Sequence, residues 1–237
     1  KRDSMQNVSL VVPAYNEEDK IGEFLTYHHQ QFSFDEIIVV DGGSRDQTVQ
    51  RCEEFDGPVR CLEAEHAGRG GQLRKGCEQA RGDWIFMVHV DTRLPEEFAL
   101  CQFEATTRWG WFDCRLDASG AIYHVIGWAI SLRSGIFSTP TGDQAIWVER
   151  DFLEAVGGIP DQPIMEDVEL VKILKSAEGG QRIRKPVTTS ARKWKEQGPL
   201  RVIGLMWFFR IVHMLGASPE WIYRQYYGEA PNESGEE

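Results

Sequence analysis

The stretch "NVSLVVPAYNEEDKIGEFLTYHHQ" (residues 7–30) sets the pattern from which the fold is read. Residues 7–12, with Val8, Leu10, Val11 and Val12, read as a buried strand. The polar turn and the acids after it predict a helix, with Asn16 as its N-cap. The pattern then repeats. "EIIVV" (36–40) is a second strand, followed by "DGGSRDQTVQRCEEF", where Ser44 and Gln47 have the spacing of a capping box after a glycine turn. "VRCLE" (59–63) and "WIFMVHV" (84–90) add two strands, with a glycine-punctuated helix over roughly 70–81 between them. Strands alternating with helices imply right-handed crossovers and a mostly parallel sheet covered on both faces, an α/β fold.

Beyond Asp91 the rhythm changes. "PEEFALCQFEATTRW" (95–109) predicts a helix entered through Pro95, "WFDCRL" (111–116) a strand and "AIYHVIGWAISLRS" (121–134) a helix. "DQAIWVE" (143–149) predicts a short strand, and "MEDVELVKILKSAEG" (165–179) a helix with Val168, Val171 and Leu174 at helical spacing. No repeat or low-complexity linker separates these parts. The expectation is one domain over 1–227, with a nucleotide-binding half (about 7–92), an acceptor half (about 93–197) and a C-terminal helical extension (about 198–227). The acidic segment 228–237 is expected to be disordered.

Composition narrows the function. A formal net charge of -11 argues against coating nucleic acid, which needs an excess of Lys and Arg. The basic stretch "RIRKPVTTSARKWK" (182–195) is a local exception, read as a solvated face or as an anion receiver. The five cysteines are scattered and never spaced C-x-x-C, so neither a disulfide framework nor a zinc knuckle is indicated and a reducing, cytoplasmic compartment fits. No secretory leader pattern opens the sequence. The most apolar segment, "LRVIGLMWFFRIVHMLG" (200–216), is interrupted by Arg201, Arg210 and His213 and is shorter than a membrane span. Packing on the protein body is its first reading; peripheral contact with the inner face of a membrane is the second.

Ligands of open parallel sheets bind at the carboxyl ends of the strands. Here "VVPAYNEE", "VVDGGSRD" and "VHVDTRLP" each put a carboxylate (Glu17, Asp41, Asp91) just past a buried run. A nucleotide suits such a crevice. Gly43 lets the backbone approach a ring or ribose, and Asp41 can accept from a base N–H or a hydroxyl. Arg69 and Arg74, in "AGRGGQLRKG" (67–76), suit phosphate oxygens. Neither a dinucleotide fingerprint nor a P-loop is present. Glu166 and Asp167 open a helix, where acids are favoured electrostatically, and either can serve as a general base. Asp143 and Gln144 offer hydrogen-bonding groups suited to a sugar.

The ordered set "VVPAYNEE", "VVDGGSRDQT", "ARGDWIFMVHVDT", "GDQAIWVERDFLEAVGGIPD" and "MEDVEL", over most of residues 8–175, resembles family 2 glycosyltransferases of the GT-A, Rossmann-like fold. The H-x-D-T, G-D-Q-A and M-E-D-V-E-L wording, with "TTSARKW" after it, is most similar to a bacterial subfamily named for arsenosugar biosynthesis. The resemblance implies inverting sugar transfer from a nucleotide diphosphate sugar, usually UDP-linked, assisted by a divalent metal, Mn2+ or Mg2+. Pro13, Tyr15 and Glu17 would frame the base. Asp41 would bind base or ribose, and Arg69, Gln72 and Arg74 would line the donor site. Asp91 would hold the metal-diphosphate, Asp167 would be the general base beside Glu166, and Arg192 and Trp194 would close over the diphosphate.

His89 stands where the broader family's D-x-D pattern has a carboxylate. Residues two apart in an extended segment point the same way, so His89 and Asp91 are expected to share the crevice. Three roles stay open for His89: metal ligation, hydrogen bonding to donor phosphate or ribose, or none. Imidazole suits manganese better than magnesium. Two other functions compete with transfer: a sugar-phosphate nucleotidyltransferase and a noncatalytic nucleotide-sugar-binding protein. The sequence leaves the acceptor, small-molecule or lipid-linked, undetermined, along with the sugar and the oligomeric state.

Overall fold

The computed structural model describes residues 7–64, 68–98 and 105–228. Eight strands form one sheet: β1 (Val8–Ala14), β2 (Glu36–Asp41), β3 (Val59–Glu63), β4 (Trp84–Met87), β5 (Thr92–Arg93), β6 (Trp109–Asp117), β7 (Ile146–Glu149) and β8 (Gln181–Ser190). Their order is β3-β2-β1-β4-β7-β6-β8-β5. The pairs β1–β2, β2–β3 and β1–β4 are parallel, as the alternation of strands and helices in the first part of the sequence predicts. β7 is antiparallel to both β4 and β6, and the sheet then continues through β8, parallel to β6, to β5.

The continuous apolar runs are explained by burial on both faces. Val8, Leu10, Val12, Ile37 and Val39 belong to one core, packed by Phe24 and Leu25 of α1 (Glu18–Gln31). Their alternates Val11, Ile38, Val40 and Ile85 belong to a second core, beneath Leu73 of α3 (Arg69–Gln79) and Leu170, Val171 and Leu174 of α6 (Glu166–Ala177). Each such side chain fully withdrawn from water contributes about 1.5–3 kcal/mol. The remaining helices are α2 (Thr48–Glu53), α4 (Ala121–Phe137), α5 (Arg150–Ala155), α7 (Arg192–Gln197), α8 (Pro199–Met214) and α9 (Pro219–Tyr227). Among the described residues, no helix is long and apolar enough to cross a membrane.

Several local expectations are corrected. Asn16 does not cap α1: it sits at φ 51°, and its side-chain oxygen accepts from the backbone N–H of Arg45 at 2.9 Å. The Ser44/Gln47 capping box does not form, because the Ser44 hydroxyl is taken by Asp41 and by the backbone N–H of Asn16. Asp46, not Ser44, accepts the backbone N–H of Thr48 at 3.0 Å. The strand expected over 84–90 ends at Met87. The helix expected from Pro95 is absent where the chain is described. Residues 95–98 make a single turn, closed by the N–H of Phe98 on the carbonyl of Pro95, and 105–108 are irregular, while 99–104 lie outside the described residues. The expected tail, 228–237, also lies outside them except for Gly228.

Candidate active site

Two strand-end loops are laced into one rim by side chains binding backbone. The N–H groups of Asn16, Glu17 and Glu18 donate to Ser44, Thr48 and Asp46 at 2.8, 2.8 and 3.1 Å. In return Glu18 accepts from the N–H of Gln47 at 2.9 Å. Asp41 is buried and shapes its own turn: one carboxylate oxygen accepts from the N–H groups of Gly43 (2.9 Å) and Ser44 (2.8 Å), and the other from the Ser44 hydroxyl. Gly43 has φ 89°, a conformation that favours glycine. Pro13 is half-buried beside Val40, Glu17 pairs with Lys20 at 3.1 Å, and the Tyr15 ring is exposed at the rim.

Gln72 is not turned to a donor. Its buried amide donates to the carbonyls of Ala14 (2.6 Å) and Val40 (2.8 Å), tying α3 to the ends of β1 and β2. Arg74 pairs with Glu78 and Asp161 on the surface, each at 3.1 Å. Glycines in the same segment serve close packing: a Cβ on Gly70 would lie 2.2 Å from the carbonyl oxygen of Gln162, so α3 can approach the 160–166 segment only without one. That approach carries Arg69 onto Glu166, with the guanidinium Nε donating to one carboxylate oxygen.

Glu166 and Asp167 are adjacent but differently employed. Glu166 is buried under Arg69, and its other oxygen has no partner among the described residues. Asp167 is half-buried and accepts the N–H of Gly142 at 2.8 Å and the N–H of Val168 at 2.8 Å. A Cβ on Gly142 would fall 2.8 Å from the Cε1 and 2.9 Å from the Nε2 of His89, and 3.7 Å from an Asp167 oxygen, so ring and carboxylate meet at one glycine. His89 Nδ1 also lies 3.4 Å from Asp143. Burial opposes the charge of Asp143, but His89, Arg69 and Lys193 together hold its carboxyl below the usual range. Burial likewise opposes the charge on Arg69, yet Glu166, Asp167 and Asp143 raise it overall. Backbone strain collects here: Ala145 and Met165, directly before Glu166, sit at φ 46° and 62°, where non-glycine residues each pay about 1–3 kcal/mol.

The extended His89–Asp91 pair is replaced by a turn in which the N–H of Thr92 donates to the carbonyl of His89 at 2.9 Å. His89 is thereby directed to Asp143. Among the described residues the Asp91 carboxylate has only the Thr92 hydroxyl, at 3.4 Å, while its backbone carbonyl accepts from the N–H of Ser190. No group of three His, Cys, Asp or Glu among the described residues makes a metal cage. A single uncommitted carboxylate does fit an ion that takes its other oxygens from a diphosphate and water.

Gln144 is buried and donates to the Phe112 carbonyl (2.9 Å) and the Ser134 hydroxyl (2.8 Å), so it anchors the 142–144 turn and offers nothing to a sugar. Trp194 is buried against Leu116, Ile126 and Val202, and Arg192 is exposed. Two cations not singled out in the sequence join the cluster. Burial lowers the pKa of Lys193, opposed by Asp143; burial also lowers that of Arg133, opposed by Asp167 and Asp143. Lys193 carried a signal, standing between the two candidates Arg192 and Trp194, whereas Arg133 lay inside an apolar helix and had none.

Residues 9–106 match the family described as Glycosyl transferase family 2. An undecaprenyl-phosphate 4-deoxy-4-formamido-L-arabinose transferase of Pseudomonas fluorescens is 36% identical over 99 residues, 38% of this chain and 29% of that protein. The human dolichyl-phosphate beta-glucosyltransferase is 34% identical over 108 residues, 38% of this chain and 33% of that protein. The matches thus span about a third of these relatives. A mannosyltransferase of Pyrobaculum calidifontis, solved with GDP-Man and Mn2+, has a TM-score of 0.58 at 22% identity over 78% of this chain and 56% of its own. The fold is GT-A. The family 2 glycosyltransferase match thus takes in His89 and Asp91, while Gly142, Asp143 and Asp167 of the cluster lie on the part of the chain beyond it.

Proposed function

We propose that the chain transfers a sugar, with inversion, from a nucleotide diphosphate sugar, UDP-linked in our reading, to a hydroxyl or phosphate of an acceptor. The observation that carries this is the convergence of Asp167, His89 and Asp143 at Gly142. The polyprenyl-phosphate names of the relatives support a lipid-phosphate acceptor, and the arsenosugar likeness rests on the quoted motifs alone.

Pro13, Tyr15 and Glu17 would frame the base, and Asp41 would act by shaping the turn through Gly43 that faces it. Asp167, the half-buried member of the acidic pair, is the general base: it takes the acceptor proton as the acceptor oxygen bonds to the anomeric carbon and the nucleotide diphosphate leaves from the opposite face. Glu166 holds Arg69 in place beside Asp167. Lys193 and Arg192, following β8, supply positive charge for the diphosphate, a role in which Trp194 is replaced by Lys193. Asp91 would hold the divalent ion, Mn2+ or Mg2+, and that ion when bound supplies charge neutralisation at the leaving diphosphate. Such an enzyme would work in the cytoplasm.

The test is hydrolysis of UDP- and GDP-sugars with manganese. Slow turnover abolished in Asp167→Asn and Asp91→Ala is the expected result. Tight nucleotide-sugar binding with no turnover over a broad acceptor panel would instead establish a binding protein.

A further inference from the structure

The outward stripes of α4 and α8 are apolar. Val125, Trp128 and Ile136 on α4, and Ile203, Trp207 and Ile211 on α8, recur at helical spacing and are all more than a third exposed. Only Val202 and Phe209 of α8 are buried. Between the two helices runs a groove of about 260 Å3, lined by Ile126, Ile130 and Met206 and by the two cations Arg133 and Arg210.

Charge distinguishes this face from the rest of the molecule. The protein has 37 acidic residues, yet the 17 residues of α4 and the 16 of α8 include none, while they contribute Arg133, Arg201 and Arg210. Arg133 joins the groove to the reaction crevice: its Nη2 is buried with no hydrogen-bond partner among the described residues, and its charge acts on Asp167 and Asp143.

We infer that α4 and α8 form a docking face for an anionic lipid bilayer, with the tryptophans and aliphatic side chains entering the interface and Arg133 receiving a lipid phosphate at the mouth of the crevice. Apolar stripes flanked by arginines, without acids, are what binds at a headgroup boundary, and a guanidinium nitrogen with no partner among the described residues is suited to a phosphate. A neutral bilayer would satisfy the apolar stripes but not the arginines. A second copy of this chain would bring like charges together across a two-fold contact. The inference deepens the proposed transfer by naming its partner, but it is read by binding and does not require turnover.

The experiment is co-sedimentation of the full chain with vesicles of phosphatidylcholine alone and of phosphatidylcholine with one-third phosphatidylglycerol. Expected is binding to the anionic vesicles at least about tenfold tighter than to the neutral ones, since each cation near the surface contributes about 1 kcal/mol, and weakening with salt. The doubly substituted Trp128→Ser, Trp207→Ser chain, altered only at exposed positions and checked by circular dichroism, should lose binding. Arg133→Gln should bind the anionic vesicles about fivefold more weakly than the wild-type chain, one cation's share of the attraction. Failure of the wild-type chain to sediment with either vesicle overturns the inference, as does undiminished binding by the tryptophan variant. A wild-type dimer that the tryptophan substitutions dissociate would overturn it too, by giving the face to a second copy. Vesicle binding without sugar-nucleotide hydrolysis sinks the proposed transfer and leaves the docking face standing; hydrolysis without vesicle binding does the reverse.

Discussion

Removing the Arg69 guanidinium should reveal how the acidic pair is divided between structure and chemistry. The Glu166 side chain is 2% exposed and that of Arg69 38%, so the two ends of the pair respond differently to losing their partner. In Arg69→Met, Glu166 keeps a buried charge with neither oxygen paired, a situation that costs about 3–5 kcal/mol in closed interiors. Because the Arg69 side chain reaches water and screens the pair, we expect the lower end, about 3 kcal/mol. In Glu166→Gln the guanidinium can turn to solvent, and the loss should be about 1 kcal/mol. The double variant should cost about 2 kcal/mol, some 2 less than the sum, because no buried charge is left behind. Urea unfolding followed by tryptophan fluorescence gives all three values. Additivity within about 0.5 kcal/mol would refute the reasoning and show that the pair is not energetically coupled. The same variants separate the carboxylates chemically. If Asp167 is the base, the double variant retains measurable nucleotide-sugar hydrolysis, whereas Asp167→Asn, with Arg69 and Glu166 intact, does not.

His28 is fully buried, with Nδ1 on the Phe24 carbonyl at 2.9 Å and Nε2 facing the N–H of Leu94 at 3.4 Å, and burial lowers its pKa from 6.5 to about 4. With the folded value below the unfolded one, its contribution is complete above pH 6.5 and is lost as pH falls toward 4, by roughly 3 kcal/mol in all. The slope of unfolding free energy against pH over that window should therefore be shallower in His28→Phe, and equal slopes in denaturant titrations would remove the effect. Gly142→Ala should push the His89 ring away, since the new Cβ falls 2.8 Å from it; we expect kcat for sugar-nucleotide hydrolysis to drop about tenfold or more with a stability loss of only about 1–2 kcal/mol. Unchanged kcat in that variant would detach His89 and the 142–144 turn from the chemistry.

The sequence by itself determined the alternation of strands and helices and the position of α6 with its acidic start. Those features depend on short-range physics: uninterrupted apolar runs demand burial on both faces, and turns are written in glycine and polar residues within a few positions. The use of each polar side chain was decided by tertiary structure. Gln72 and Gln144 looked like ligand-binding amides, but burial obliges them to satisfy backbone carbonyls 58 and 32 residues away. Arg74 was drawn off by Asp161, and the early end of β4 turned His89 to Asp143 and broke the expected same-side pairing with Asp91. Arg133, silent within an apolar helix, acquired meaning only when folding laid α4 beside α8 and brought its charge to Asp167 and Asp143. A buried polar group must find a partner wherever the chain supplies one, and that search runs across the fold, beyond the reach of local pattern.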